Sequence, residues 1–311
     1  MIHSHKLPRR WYRLVKLLPV KFRRNLAKPV TLGLFIFSLL AIFIQLIPTP
    51  STSLLQTEPP PIGVLYPRST GKSFPDISAR NIFVMDQSTG VVLYHQQADD
   101  QVAPASTTKI MTALVALEHF PLNREITVTH SYSEGQNLKF QPGEKLTVEQ
   151  LLYALLVQSA NDAAEILAEN YMGGRDAFIT AMNVRAVDLG LSRTHLTNPT
   201  GLDESGHYSS ASDLARLADY AMKDLEFARI VGTENAVISS RVVTNVNELL
   251  GKVPGVLGIK TGYTDAAGQS LVTLVDQGRP VIIVVLGSTD RFADTEKLIN
   301  WTYSNFTWNF E

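Results

Sequence analysis

The sequence predicts an α+β architecture: an antiparallel sheet flanked by helices, with a mostly helical subdomain inserted between its strands. The order of elements carries this. Apolar, β-rich runs occur near Asn81 and return after Ala236, with five helical stretches between them and one after. The β-α-β alternation of a doubly wound parallel sheet is absent, and no internal repeat is visible. The 311 residues include no cysteine, so core burial rather than a disulfide framework must stabilise the fold.

Taken in order, Asn81–Asp86 and Val91–His95 read as a hairpin joined by Gln87-Ser88-Thr89-Gly90. Ser106 opens an apolar periodic run to His119, the pattern of a buried helix. Thr147 followed by Gln150 has the spacing of a capping box and predicts a helix through about Gln158. Asn161–Tyr171, Asp176–Leu189 and Ser212–Met222 are helical in pattern. Strands follow at Ala236–Thr244, Val256–Thr261, Ser270–Asp276 and Val281–Leu286, and Asp294–Phe306 closes the chain as a helix.

Charge divides the chain. Nine of the 28 Lys and Arg lie in residues 1–57, where there is no acid, leaving 19 basic against 29 acidic residues for the rest. A basic tail can mean nucleic acid, but this one (1–28) runs directly into Val30–Ile47, which holds no charge. An apolar run of that length can cross the hydrocarbon core of a bilayer. We therefore expect a transmembrane anchor at 29–48, its basic side cytoplasmic and everything after it outside. A cleaved signal peptide is the alternative, disfavoured by the long basic region and the lack of a small-residue cleavage site. Prolines 48, 50, 59, 60, 61, 67 and 75 predict a stiff linker over 49–75, with the folded domain at 76–311.

Three short segments carry chemistry. Ser106 and Lys109 are three apart, which places both side chains on one helix face. A serine is a poor nucleophile until a base takes its proton. Lysine serves as that base when burial or a second cation lowers its pKa, and Lys260 is a candidate for the second cation. Ser-x-x-Lys arises by chance about once in a chain of this length, and Ser69-x-x-Lys72 in the linker is such a case. Ser106 differs by standing at a helix start, where backbone N–H groups can face a developing oxyanion. Ser159-Ala160-Asn161 taken alone reads as a helix cap. Lys260-Thr261-Gly262 ends a strand, where glycine permits close backbone approach. The histidines His119, His195 and His207 are dispersed and have no zinc-site spacing, and the chemistry needs no metal or cofactor.

In this order the three segments form the pattern of penicillin-binding proteins and class A β-lactamases. The chain resembles the D-alanyl-D-alanine carboxypeptidases, on Pro104–Ala113, Ser159–Ala163, Asn198–Leu202 and Gly258–Thr264. The resemblance spans about Asp76 to Trp301 and implies a β-lactamase/DD-peptidase-like fold. It implies a bacterial enzyme that trims the terminal D-Ala from peptidoglycan stem peptides and is acylated by β-lactam antibiotics. Ser106 would be the nucleophile, Lys109 the base, Ser159 the proton shuttle, and Asn161 would hold shuttle and substrate amide. Lys260, Thr261 and Arg291 would meet the substrate carboxylate, beside Gly262. The backbone N–H groups of Ser106 and Tyr263 would form the oxyanion hole. Many relatives carry a C-terminal β-rich domain with a membrane-binding helix; here the N-terminal anchor is expected to take its place. A DD-endopeptidase with the same machinery and a non-catalytic penicillin sensor are the competing functions. A fast β-lactamase is disfavoured because Asn198–Asp203 holds no glutamate.

Overall fold

The computed structural model describes residues 65–308; the predicted basic tail, the anchor at 29–48 and most of the predicted linker lie outside the described residues. No helix among the described residues is long and apolar enough to cross a membrane. The chain enters with β1 (Arg68–Ser69), then the hairpin of β2 (Asn81–Asp86) and β3 (Val92–Gln96). A 3-10 turn (Ala105–Thr108) runs into α1 (Lys109–His119). Small strands β4 (Glu125–Thr127) and β5 (Lys145–Thr147) precede α2 (Val148–Leu156), α3 (Asn161–Glu169) and α4 (Gly174–Asp188). The helical block closes with α5 (Ala211–Ala221) and α6 (Leu225–Val231). A hairpin, β6 (Asn235–Ile238) and β7 (Arg241–Thr244), leads to β8 (Val256–Thr264), β9 (Gly268–Asp276) and β10 (Pro280–Ser288). Last come α7 (Arg291–Asn305) and β11 (Phe306–Thr307).

The central sheet is antiparallel, in the order β3-β2-β10-β9-β8, so the first hairpin meets the last three strands through the β2–β10 pair. This is the predicted architecture, with the helical block inserted between strands that share one sheet. Alternate side chains of β2, β9 and β10 go to two separate cores. Phe83, Met85, Val272, Leu274, Ile282 and Val284 pack with α1 to α6. Ile82, Val84, Leu271, Val275, Ile283 and Val285 pack against Leu298 and Ile299 of α7. Burial on both faces explains why Val281–Leu286 is continuously apolar rather than alternating.

Several boundaries differ from expectation for local physical reasons. The run Ala236–Thr244 is a hairpin rather than one strand, turning at Ser239 and Ser240, whose φ values are +45° and +66°. A two-residue turn of this hand needs positive φ at both positions, and serines in place of Asn-Gly hid it. The capping box at Thr147 and Gln150 forms with both of its hydrogen bonds, but α2 stops at Leu156. The closing helix begins three residues early, at Arg291, because Asp290 caps it by accepting from the N–H of Ala293 at 3.0 Å.

The predicted linker also ends sooner than Pro75. β1 pairs with β11, and the side-chain oxygen of Asn305 accepts from the Ser69 and Thr70 hydroxyls and from the Lys72 N–H. Phe74 stacks on Tyr94 with ring centroids 3.8 Å apart. Ser69-x-x-Lys72 is thereby tied to the end of α7. Just beyond, Asp294 accepts from the Ser78 hydroxyl at 2.6 Å, the Ser288 hydroxyl at 2.7 Å and the Ala79 N–H at 2.9 Å. This carboxylate binds the entering segment to α7 and to the end of β10. Replacing it leaves buried donors without partners. Asp294→Ala is expected to lower unfolding free energy by about 2–4 kcal/mol, read as a reduced urea midpoint with an unchanged slope.

Candidate active site

The 3-10 turn sets the first pair. Side chains three apart eclipse in a 3-10 helix, whereas in an α-helix they share a face but are offset by about 60° around the axis. Ser106 and Lys109 span that turn, and Lys109 Nζ lies 2.9 Å from Ser106 Oγ. The predicted α-helix starting at Ser106 is thus replaced, over its first turn, by a tighter geometry that aligns the pair. Pro104 anchors the turn by accepting from the Thr107 hydroxyl at 2.6 Å.

Lys109 has 0 % exposure, so its remaining hydrogens need protein partners. It reaches Asn161 Oδ1 at 2.7 Å and the Thr200 carbonyl at 2.6 Å. Asn161 is oriented by its own amide, whose Nδ2 donates to the Glu134 carbonyl at 3.0 Å. As an ammonium, Lys109 donates to all three acceptors. As a neutral amine it keeps two N–H bonds, and the two carbonyl-type oxygens can only accept. The lone pair is then left facing the Ser106 hydroxyl. Burial pulls Lys109 down to about 7, against the opposing charges of Glu165 and Asp162. Burial is the largest influence on this amine, and its repulsion with the expected second cation, Lys260, is mutual. Burial, then the charges of Lys109 and Arg291, hold Lys260 well below the ordinary lysine range.

Lys260 is 1 % exposed and donates to Ser159 Oγ at 2.8 Å and to the Thr261 carbonyl at 3.0 Å. Ser159 sits between α2 and α3 at φ +62° and caps neither helix; Ala160 occupies the N-cap position of α3. The segment is held by backbone instead, Ala160 N–H to the Ala154 carbonyl and Asn161 N–H to the Gln136 carbonyl. Arg291 donates from Nη1 to the Gly262 carbonyl at 2.9 Å and is half-buried. Tyr263 is 60 % exposed at the rim, its hydroxyl donating to Asp265.

A cleft of about 340 Å³ is bordered by Ser106, Ser159, Asn161, Thr261, Gly262, Tyr263 and Arg291, with Lys109 and Lys260 bonded to its wall residues from beneath. All nine predicted residues therefore converge. Two glycines permit this. A Cβ on Gly201, at φ +84°, would lie 1.9 Å from the Ala105 carbonyl oxygen, and one on Gly262 would lie 3.2 Å from the Ser106 nitrogen. The close approach predicted at Gly262 is first of all to the backbone that carries Ser106.

A family profile described as D-alanyl-D-alanine carboxypeptidase, Peptidase S11, matches residues 68–290. The chain belongs to this D-alanyl-D-alanine carboxypeptidase family. It is 33 % identical over 259 residues to D-alanyl-D-alanine carboxypeptidase DacF of Bacillus subtilis, covering 78 % of this chain and 67 % of that protein. Among solved structures, the Streptomyces K15 DD-transpeptidase aligns at a TM-score of 0.71 and 34 % identity, over 75 % of this chain and all of that one. The D-alanyl-D-alanine carboxypeptidase of Mycobacterium tuberculosis aligns at 0.73 and 33 %, over 76 % and 96 %. The fold is therefore that of the DD-peptidases and penicillin-binding proteins. The family match begins at Arg68, where the structure also begins to pair.

Sequence reasoning missed one partner of the lysine. Thr200 acts through its backbone carbonyl, which no side-chain pattern reports. Its loop is shaped by Asn198, whose Oδ1 accepts from the Thr200 and Gly201 N–H groups at 3.2 and 2.8 Å. Thr112 of α1 holds the same loop by donating to the Pro199 carbonyl at 2.7 Å. His207 was set aside as an unremarkable histidine, yet it bridges this loop to the catalytic turn. Its Nδ1 accepts the Thr197 N–H at 3.0 Å, so the proton is on Nε2, facing Thr108 Oγ1 at 2.9 Å. Burial lowers its pKa from 6.5 to about 4. The unfolded chain takes up that proton at higher pH than the folded one does. His207 thus stabilises fully above about 6.5, and the contribution is lost as pH falls toward about 4. Urea midpoints at pH 7 and pH 5 should separate more for the wild type than for His207→Asn.

Proposed function

We propose that the chain is a serine-type D-Ala-D-Ala carboxypeptidase that removes the terminal D-Ala of peptidoglycan stem peptides. The observation that carries this reading is the buried Lys109 amine, whose lone pair can face only Ser106 once Asn161 and Thr200 take its hydrogens. Lys109 takes the Ser106 proton as Oγ attacks the penultimate D-Ala carbonyl carbon. The oxyanion is held by the N–H groups of Ser106 and Tyr263. The C–N bond then breaks, and the leaving amine receives its proton through Ser159, which Lys260 orients. Water hydrolyses the Ser106 ester and regenerates the serine. β8 is the edge strand of the sheet, so an extended peptide can lie along it. Arg291 and Lys260 are basic groups, and Thr261 offers a hydroxyl, where the terminal carboxylate would arrive, which favours a free C-terminus over the cross-link cut by an endopeptidase.

Release of D-Ala from a D-Ala-D-Ala peptide should vanish in Ser106→Ala, and kcat/KM of the wild type should rise with pH through about 7 as Lys109 loses its proton. Retained release in Ser106→Ala would overturn the assignment of the nucleophile. Comparing cross-linked muropeptides with monomeric pentapeptide in the same assay separates endopeptidase from carboxypeptidase action.

β-Lactams would acylate the same serine. Glu204, just after the Asn198 loop, accepts from Asn198 Nδ2 at 2.9 Å and the Thr197 hydroxyl at 2.8 Å, so its carboxylate is engaged within the loop. A labelled penicillin should therefore bind rapidly and leave slowly. Rapid turnover of penicillin would contradict this.

The enzyme is further proposed to be a single-pass bacterial membrane protein with a cytoplasmic N-terminus and an extracytoplasmic catalytic domain. The basic tail and the uncharged Val30–Ile47 run support this. Because the segment from Arg68 is docked, the tether is about 20 residues from Pro48 to Pro67, a reach of at most about 60 Å. After cell fractionation the full-length protein should stay with membranes at high salt, with the domain open to external protease in spheroplasts.

A further inference from the structure

Asn161 and Glu165 lie four apart on α3, so their side chains share one helix face. Asn161 contacts the Lys109 amine directly, at 2.7 Å. Glu165 stands one turn further along, where its carboxylate is mostly shielded, with 17 % side-chain exposure. Arg175, in the first turn of α4, grips both of its oxygens, Nε at 2.7 Å and Nη2 at 3.1 Å. The proposed mechanism uses neither residue.

The other charges around Lys109 are differently committed. Asp162 of α3 is fully buried and accepts from the backbone N–H groups of Leu138, Phe140 and Ala163 at 3.0–3.3 Å. Lys260 faces in from β8 and is bound to Ser159, with Arg291 beyond it at the cleft. His207, across the catalytic turn, is neutral near pH 7. Glu165 therefore differs from the rest in being an anion one helical turn from the Asn161 contact on Lys109 and paired with a partially exposed cation.

We propose that Glu165 is an electrostatic positioning residue for Lys109, holding its ammonium form, and that Arg175 moderates this hold by drawing the carboxylate toward α4. The inference rests on Lys109 being the catalytic base. The direction agrees with Glu165 being the larger of the two anionic influences that oppose the effect of burial on Lys109. The two partners must then act with opposite sign. Removing Glu165 frees the amine at lower pH, and removing Arg175 exposes the full carboxylate charge and retains the proton to higher pH.

The test is the pH dependence of the second-order rate at which full-length protein is acylated by a fluorescent penicillin. For Glu165→Gln the acid limb should move down by roughly 0.5–1 pH unit, and for Arg175→Gln up by a similar amount. The double variant should fall between them. Glu165→Asp, which keeps the charge, should stay near the wild type. A purely structural ion pair would lower the plateau in every variant and leave the limb in place. Limbs that stay fixed, or that move the same way in both single variants, would overturn the proposal. If Glu165→Gln does not fold, judged by circular dichroism, the upward shift in Arg175→Gln decides alone. A wild-type profile with no limb near 7 would instead sink Lys109 as the base, a separate failure.

Discussion

The structure of the site depends on burying one amine. A charged lysine removed from water is costly unless it is fully hydrogen-bonded. Lys109 finds acceptors on three different segments: Ser106 on its own turn, Asn161 at the start of α3, and the Thr200 carbonyl in the loop before α5. Each segment is in turn constrained so that its oxygen points inward. Asn161 is turned by the Glu134 carbonyl, the loop is folded around Asn198, and the turn is pinned on Pro104. The geometry that meets the lysine's needs also directs its lone pair at the serine. Stability and reactivity therefore have the same origin here.

Two strained backbone positions lie at the same place. Ala105 and Ser159, both non-glycine, have φ of +49° and +62°; the first precedes Ser106 and the second accepts from Lys260. Such conformations cost on the order of 1–3 kcal/mol each and persist only where packing leaves no alternative. The packing is visible: Gly201 and Gly262 both press on the Pro104–Ser106 backbone. The apolar face of α1, from Ile110 to Ala116, lies in the large core between the sheet and the helical block. A rigid core thus holds a strained turn at its edge.

Two buried lysines beside one cleft raise a further constraint. Lys109 and Lys260 each disfavour the charge of the other, and Arg291 adds to the effect on Lys260. A cleft bordered by these three basic groups is prepared for an anion, and an arriving carboxylate would favour their charged forms. The two amines also have separate oxygen partners, Ser106 for one and Ser159 for the other. In the proposed mechanism that separation lets one site take a proton from the nucleophile and deliver one to the leaving group.

What the sequence determined by itself was the set of chemical groups and the order of elements. Period-2 and helical apolar patterns are local, so the split sheet, the helical block and the capping box at Thr147 were legible. So were Ser106, Lys109, Ser159, Asn161 and Lys260-Thr261-Gly262, because their order is distinctive. The serine turn in the β6–β7 hairpin, the docking of 68–75 on α7 and the short helix α6 were not, since each depends on φ values or partners distant in the chain. The carbonyl of Thr200 and the bridge through His207 were likewise decided by tertiary structure, because backbone oxygens and buried tautomers leave no trace in residue identity. Folding also ranked the influences on the two lysines: burial comes first for both, ahead of the charges around them. Sequence names the titratable groups, but desolvation is a property of the folded surroundings, and only these decide which amine is free to act as a base.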